Sequence, residues 1–176
     1  MFSTKIEDEC LLRLTNKRVC MSYTYEKEMS EGGFLVRTYS IYKIKEEHLT
    51  FIFGRERKLL EMMQGCEDAN EKSLKELAYI CETVRFDEIA TMLEAQLDSK
   101  YAHLERARNA LFLEHPIKGK MAIYLVERKI CVYCEGSRML DLDLFQMLAK
   151  MSERFIAFNK QDNECGWLKP MKYTMH

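Results

Sequence analysis

The sequence predicts an α+β fold in which an antiparallel sheet, built from a three-strand meander and a later hairpin, packs with several helices, including a long central helix. Polar and apolar residues alternate in some segments, which is typical of half-buried strands, and recur every three or four positions in others, which is typical of helices. The 176 residues include only 7 Gly and 2 Pro, so few residues interrupt these elements. Strands and helices are partly segregated, which favours α+β over an alternating parallel-sheet fold.

The N-terminal part of the chain predicts a short helix and then three strands. Thr4 and Glu7 have the spacing of a capping box, which begins a helix that reaches Leu14. Alternation then predicts strands at residues 19–29, 34–44 and 49–53. The first two are joined by a turn at residues 30–33, where two glycines can supply positive φ. These strands are expected to form the meander.

The middle of the chain predicts helices. Apolar spacing indicates a short helix over residues 55–64, stopped by Gly65, and a second helix over residues 74–84. One apolar stripe then continues from residue 86 to residue 114, ahead of a proline. We interpret this stripe as the long central helix, with a break near Asp98 as the alternative.

The C-terminal part predicts a hairpin and a last helix. Residues 121–126 and 130–134 alternate and flank a polar turn, and residues 141–159 carry apolar side chains at helical spacing. Residues 161–176 are mostly polar. We therefore expect one domain over residues 1–160, followed by a C-terminal tail over residues 161–176.

Composition restricts the compartment and the partners. Lys and Arg total 27 against 28 Asp and Glu, for a net charge of -1, which argues against a protein that coats nucleic acid. The 7 cysteines are odd in number and scattered, unlike a disulfide scaffold. The acidic N-terminus does not resemble a signal peptide, and the apolar runs are too short to cross a membrane. We therefore expect a reduced, cytoplasmic protein that makes no membrane contact.

The most specific local motif is the pair Cys131 and Cys134. Two cysteines at this spacing can contribute to a zinc site, for which Cys165 is a candidate third ligand and His176 or Asp162 a fourth. However, the pair lies in a predicted strand, where side chains three positions apart point to opposite faces. The sequence therefore predicts no cofactor and keeps zinc as the alternative.

No catalytic constellation stands out. The four histidines lie in no metal-binding pair and beside no nucleophile motif. Asp141 and Asp143 precede an amphipathic helix, where carboxylates commonly stabilise a helix N-terminus. We predict a protein that is not an enzyme, with a site assembled from distant residues as a less favoured alternative.

A DNA-binding regulator is the second hypothesis. Residues 74–111 can be divided into three shorter helices that contain a helix-turn-helix, with the hairpin at residues 121–134 as a wing, so that this site would lie within residues 74–134. The small basic cluster at residues 54–58 could contact phosphate, but its glutamate and the near-zero net charge favour a solvated loop.

The leading hypothesis is a module that binds another protein as an adaptor, chaperone or inhibitor. Tyrosines concentrate on the first hairpin, and the last helix has a broad apolar stripe that suits helix pairing in a homodimer. The candidate contact residues are Tyr23, Tyr25, Tyr39, Tyr42, Leu144, Leu148, Met151 and Phe155.

The predicted element order also resembles the class I chaperones of type III secretion. The resemblance covers residues 4–159, and it implies a dimer that holds unfolded segments of other proteins. Those chaperones are usually shorter and more acidic, and they lack the extra helices predicted between Glu71 and Glu114. No motif carries the match, so the resemblance assigns no binding residue.

Overall fold

A computed structural model describes residues 36–65, 71–126, 128–159 and 161–170. Within these residues, seven strands form one antiparallel sheet in the order β2-β3-β4-β5-β1-β6-β7. The strands are β1 (Val36–Lys43), β2 (His103–Ala107), β3 (Ala110–His115), β4 (Gly119–Val126), β5 (Lys129–Gly136), β6 (Phe155–Asn159) and β7 (Glu164–Trp167). A 3₁₀ turn covers Glu46–His48, and the helices are α1 (Leu49–Ile52), α2 (Glu56–Gly65), α3 (Glu71–Ile80), α4 (Phe86–Leu97) and α5 (Met139–Met151). The α+β class with an antiparallel sheet is confirmed.

The sheet is covered by helices on both faces. Side chains alternate along β1, so that Ile41 packs on one face and Tyr42 on the other. The first face is covered by α4 and α5, and its core includes Ile89, Leu93, Leu111, Ile123, Leu144, Leu148 and Phe155. The opposite face carries α1 to α3 over β1, β6 and β7, and its core includes Ile52, Leu59, Leu60, Leu77, Ile156 and Phe158.

Several predicted elements are confirmed. The strand predicted over residues 34–44 corresponds to β1, and the predicted hairpin corresponds to β4 and β5. The helices predicted over residues 55–64 and 74–84 correspond to α2 and α3. The predicted helix at residues 4–14, strand at 19–29 and turn at 30–33 lie outside the described residues.

The prediction of a third strand in the meander is wrong. Residues 49–53 contain helix α1 instead of a strand. A short apolar run fits a buried strand and a buried helix equally well. Both edges of β1 are already paired, with β5 and with β6, so the run cannot join the sheet beside β1.

The prediction of a long central helix is also wrong. Helix α4 ends at Leu97, close to the predicted break at Asp98, and the chain then forms the hairpin of β2 and β3. Leu111 and Leu113 alternate along β3, a pattern that the sequence interpretation merged with the helical stripe. The third helix of the proposed helix-turn-helix is therefore absent, because these residues form strands.

The last helix is shorter than predicted. Helix α5 ends at Met151, and the backbone of Ser152 is extended, with φ -160°. Residues 155–159 form β6, which is buried throughout and therefore lacks the polar alternation of a half-buried strand. β7 pairs with β6, so the segment predicted as a tail contributes a strand to the sheet.

The observed order removes the basis for the chaperone resemblance. The resemblance required a third strand at residues 49–53, where the chain forms α1, and two strands before the last helix, where β2 to β5 form four. The helices in the described ranges are too short or too polar to cross a membrane.

Candidate functional site

Two aromatic side chains on α1 and α3 stand out by their exposure. The side chains of Phe51 and Tyr79 are 68% and 66% exposed. Large aromatic side chains usually bury much of their surface on folding. An exposed pair is therefore a candidate contact surface for another molecule.

His48 connects α3 to the 3₁₀ turn that precedes α1. Its ring centroid lies 4.6 Å from that of Tyr79, and its Nε2 lies 3.0 Å from the Tyr79 carbonyl oxygen. A carbonyl oxygen only accepts hydrogen bonds, so Nε2 is the donor. The backbone N–H of Lys45 also donates to the Ile80 carbonyl over 3.0 Å. The last turn of α3 is thereby fixed against the segment that leads into α1.

Arg55 contacts both the ring and the backbone of Phe51. The centre of its guanidinium lies 5.0 Å from the centroid of the Phe51 ring, and its Nη1 donates to the Phe51 carbonyl over 2.7 Å. This cation–π contact restricts both side chains. Gly54 forms the tight turn between α1 and α2 with φ +77°, a conformation that favours glycine. We call the surface formed by His48, Phe51, Arg55 and Tyr79 the aromatic patch.

The only carboxylate of the basic cluster at residues 54–58, that of Glu56, is held by two hydrogen bonds. Glu56 Oε1 accepts hydrogen bonds from the Trp167 indole over 2.8 Å and from the Gly54 N–H over 2.9 Å. Burial alone would raise the pKa of Glu56, but these hydrogen bonds lower it. Arg57 and Lys58 are exposed and form no ion pair with the part of the chain that the structure describes.

A second cluster of polar side chains lies buried under α5. Arg37 donates from Nε and Nη2 to the two carboxylate oxygens of Asp141, over 2.7 and 2.9 Å. It also donates to the backbone carbonyls of Gly136 and Ser137, over 2.8 and 3.0 Å. The Tyr39 hydroxyl donates to Asp141 over 2.7 Å. We call Arg37, Tyr39 and Asp141 the buried network.

The buried network keeps its charges fixed. Burial alone would raise the pKa of Asp141, but hydrogen bonds led by that from Arg37 lower it. The hydrogen bond to Asp141 raises the pKa of Arg37. Burial and the same carboxylate raise the pKa of Tyr39. Because Arg37 joins the end of β5 to the start of α5, the network serves the fold and leaves little room for ligand chemistry.

Of the four tyrosines predicted as partner contacts, the structure describes Tyr39 and Tyr42, and these two do not share a surface. Tyr23 and Tyr25 lie outside the described residues. Tyr39 belongs to the buried network, and its ring packs edge-on against Phe145 with centroids 5.0 Å apart. Tyr42 is buried on the opposite face of the sheet. Tyr39 and Tyr42 therefore lie on opposite faces of β1 and do not form one exposed surface.

The apolar stripe predicted for dimer contacts lies mostly inside the chain. Leu144, Leu148 and Phe155 belong to the core under α5 and are at most 2% exposed. These three residues are therefore unavailable to a second copy. Met151 is 36% exposed and lines a cleft of about 320 Å³ between α4 and the end of α5. Within that cleft, Glu82 pairs with Lys43.

The three cysteines proposed for zinc do not converge. Cys134 is fully buried on the α5 face, whereas Cys131 lies on the opposite face of β5. Cys131 and Cys165 share a face but are three strands apart, or about 14 Å at the usual strand spacing. No group of His, Cys, Asp and Glu in the described ranges is arranged to hold a metal ion. Burial raises the pKa of both Cys134 and Cys165.

The aromatic patch was not predicted from the sequence, for a reason that differs between its two exposed rings. Phe51 was assigned to a strand in which it would be buried. Tyr79 lies between Ala78 and Ile80 but off the stripe that faces the core, where Leu77 is buried. A large aromatic residue on the outer side of an amphipathic helix is the signal that could have located it.

Comparisons with known proteins connect this fold to a family of regulators. The curated "Sporulation inhibitor of replication protein SirA" of Bacillus subtilis (strain 168) is 26% identical over 143 residues, covering 77% of this chain and 95% of the relative. Residues 37–172 also match the family described as "SirA: Sporulation inhibitor of replication protein SirA". That span runs from Arg37 in β1 past the end of β7 and so includes the whole described sheet except its first residue. The chain belongs to the SirA family.

Proposed function

We propose that this protein is a non-enzymatic regulator that inhibits replication during sporulation by binding another protein through the aromatic patch. The name of the Bacillus subtilis relative supports the inhibitory role. The exposure of Phe51 and Tyr79 is the observation that supports the binding surface. Such a role places the protein in the cytoplasm, where a bacterial chromosome is replicated.

The composition and rigidity of the patch support this proposal. Tyrosine, phenylalanine and arginine are enriched at protein interfaces, and a few such residues usually supply most of the binding free energy. The contacts of His48 and Arg55 hold the two aromatic residues in place before a partner arrives. Less conformational entropy is then lost on binding, which favours affinity.

Direct DNA binding fits the described surface less well. Helix α4 lies within the range of the helix-turn-helix hypothesis, and its first turn carries Asp87 and Glu88, both exposed. Both carboxylates pair with arginines, Asp87 with Arg106 and Glu88 with Arg85, so this turn offers little unbalanced positive charge to a phosphate backbone. Nothing comparable weakens a protein–protein contact at the aromatic patch.

The proposal predicts a replication defect that depends on the patch. The protein is produced in Bacillus subtilis cells that lack their own relative, and the origin-to-terminus ratio is measured by sequencing genomic DNA. We expect the wild-type protein to lower this ratio. The double variant Phe51→Ala/Tyr79→Ala is expected to lose at least about 2 kcal/mol of binding free energy and therefore to leave the ratio near that of uninduced cells.

The matched control is Ile117→Ala. Ile117 is 88% exposed and lies in the turn between β3 and β4, away from α1 and α3. This variant is expected to inhibit as strongly as the wild type. Equal inhibition by the double variant would show that the patch is not the binding surface. Absence of inhibition by the folded wild-type protein would refute the proposed function.

A further inference from the structure

Two tyrosines are buried on a part of the sheet that lies beyond the cluster under α1 to α3. On that side of β4 and β5, Tyr124 and Tyr133 are only 4% and 7% exposed. Within the described residues, the apolar cluster around them consists of side chains from β2 to β5 and includes no helix residue. Helices α1 to α3 lie on the same face of the sheet, but their cluster joins β1, β6 and β7. The low exposure of both tyrosines therefore needs a covering layer other than these helices.

The aromatic rings form one layer across three strands. Tyr124 in β4 packs edge-on against Phe112 in β3 and against Tyr133 in β5, with centroids 5.6 and 5.9 Å apart. Side chains stand roughly perpendicular to a sheet, so the hydroxyl group is the outer end of a tyrosine ring. The Tyr124 hydroxyl oxygen is nevertheless buried, which indicates a further layer above the rings. We call the surface formed by Phe112, Tyr124 and Tyr133 the β3–β5 face.

The chain enters the sheet beside this face. Thr38 in β1 pairs with Tyr133, and directly paired residues point to the same side of a sheet. Val36 lies two positions earlier and so points to that side as well, and it is 8% exposed. The part of the chain that precedes Val36 therefore arrives at the border of the β3–β5 face.

The sequence of residues 19–29 suits a position across this face. Every second residue from Val19 to Tyr25 is apolar, so an extended segment has one apolar side. The segment cannot lie beside β1 as a hairpin partner, because β5 and β6 already pair with the two edges of β1. Residues 26–35 can span up to about 33 Å, whereas β1 and β3 are only about 14 Å apart at the usual strand spacing.

We propose that residues 19–29 pack across the β3–β5 face of their own chain, with Tyr23 and Tyr25 contacting the rings of that face. Aromatic side chains bury large areas and pack favourably edge to face. The span that matches the SirA family begins at residue 37, so this cover lies before the domain that the family shares. The aromatic patch belongs to the other half of the sheet face, so the inference is independent of the proposed function.

A photo-crosslink in the intact chain tests the contact. Phe112 is half-buried and is replaced by p-benzoylphenylalanine, which keeps an aromatic ring at this position. A mixture of isotopically labelled and unlabelled protein is irradiated, and mass spectrometry identifies the peptide joined to position 112 and the copy from which it comes. We expect crosslinks to residues 19–29 of the same chain. Crosslinks only to neighbouring strands, or to a second copy, would overturn the proposal.

Two cysteines of β5 supply an independent readout. Cys131 is half-buried on the β3–β5 face, and Cys134 is buried on the α5 face. In the intact chain, Tyr23→Ala/Tyr25→Ala removes the proposed contacts. We expect iodoacetamide to alkylate Cys131 about tenfold faster than in the wild type, because the cover opens locally, while Cys134 stays unreactive.

The matched control is Thr24→Ala/Glu26→Ala, which changes the polar side of the same segment. It is expected to leave the alkylation rate of Cys131 within about twofold of the wild type. An unchanged rate in Tyr23→Ala/Tyr25→Ala, or an equal rise in the control, would overturn the proposal. If Cys134 also reacts, the variant has lost its fold, and the crosslink from position 112 in the otherwise unaltered chain decides.

Discussion

The buried network and the aromatic patch use similar residues in opposite settings. Arg37 and Tyr39 surround a carboxylate under α5, where Arg37 is only 5% exposed. Arg55 lies over the Phe51 ring and Tyr79 beside the His48 ring, but the Tyr79 side chain is 66% exposed. In the network every charge has a partner within the fold, whereas in the patch the charges and rings remain accessible. The difference shows that accessibility, rather than residue type, separates the stabilising cluster from the candidate binding surface.

The largest difference between the two regions is expected for their arginines. The variant Arg37→Met leaves the Asp141 carboxylate buried without its main partner, which is expected to cost about 3–5 kcal/mol of unfolding free energy. Arg55→Met removes an exposed contact and is expected to cost less than about 0.5 kcal/mol. Urea denaturation of the purified variants measures both.

A double variant checks the cause of that loss. Arg37→Met/Asp141→Leu removes both charges, so its cost is expected to be smaller than the sum of the two single costs. Additive costs would show that the two side chains do not act as a pair. Similar stabilities for Arg37→Met and Arg55→Met would contradict the comparison itself.

The hydroxyl groups of two tyrosines provide a smaller contrast. Tyr39→Phe removes a hydrogen bond to a buried carboxylate and is expected to cost about 1.5–3 kcal/mol. Tyr79→Phe alters an exposed side chain and is expected to leave stability within about 0.5 kcal/mol. Thermal denaturation of the two variants under the same conditions distinguishes them. Equal melting temperatures would argue that Tyr39 contributes only its ring contact with Phe145.

The smallest predicted effect is the part of the pH dependence of stability that Asp141 contributes. The pKa of Asp141 is lowered in the fold, so the stability from its ionised form is present above the unfolded value of about 3.9. That stability is lost as the pH falls through the lower folded value. We expect Asp141→Asn to lose less stability than the wild type between about pH 5 and pH 3. Parallel pH curves would show that Asp141 does not titrate differently on folding.

The sequence patterns predict the fold class and the elements with clear polarity. β1, α2, α3 and the hairpin of β4 and β5 each alternate or repeat in a way that their burial explains. The errors fall where a segment is apolar on all sides or too short to show a period. β6 is buried throughout, so its residues were merged with the stripe of α5. α1 has four residues, too few to distinguish the two periods.

The candidate site could be predicted less well than the fold. Residue type favoured Tyr39, whose hydroxyl has a partner in Asp141, 102 positions away. Only the three-dimensional arrangement shows that this partner exists and that Tyr79 has no comparable burial. The opposite directions of Cys131 and Cys134, by contrast, were predictable from the sequence, because side chains three positions apart on a strand point to opposite faces.

The position of β1 has a consequence for how the protein is made. β1 is an interior strand of the sheet, and its partners β5 and β6 come late in the chain, so that Tyr39 pairs with Val132 and with Asn159. Contacts so distant in sequence form slowly, because a long loop must close first. The turn beside the patch also needs the C-terminal strand, because Glu56 at the start of α2 accepts a hydrogen bond from Trp167 in β7. The proposed contact surface is therefore expected to form only after the ribosome has released the segment through Trp167, so a nascent or shortened chain would not bind a partner.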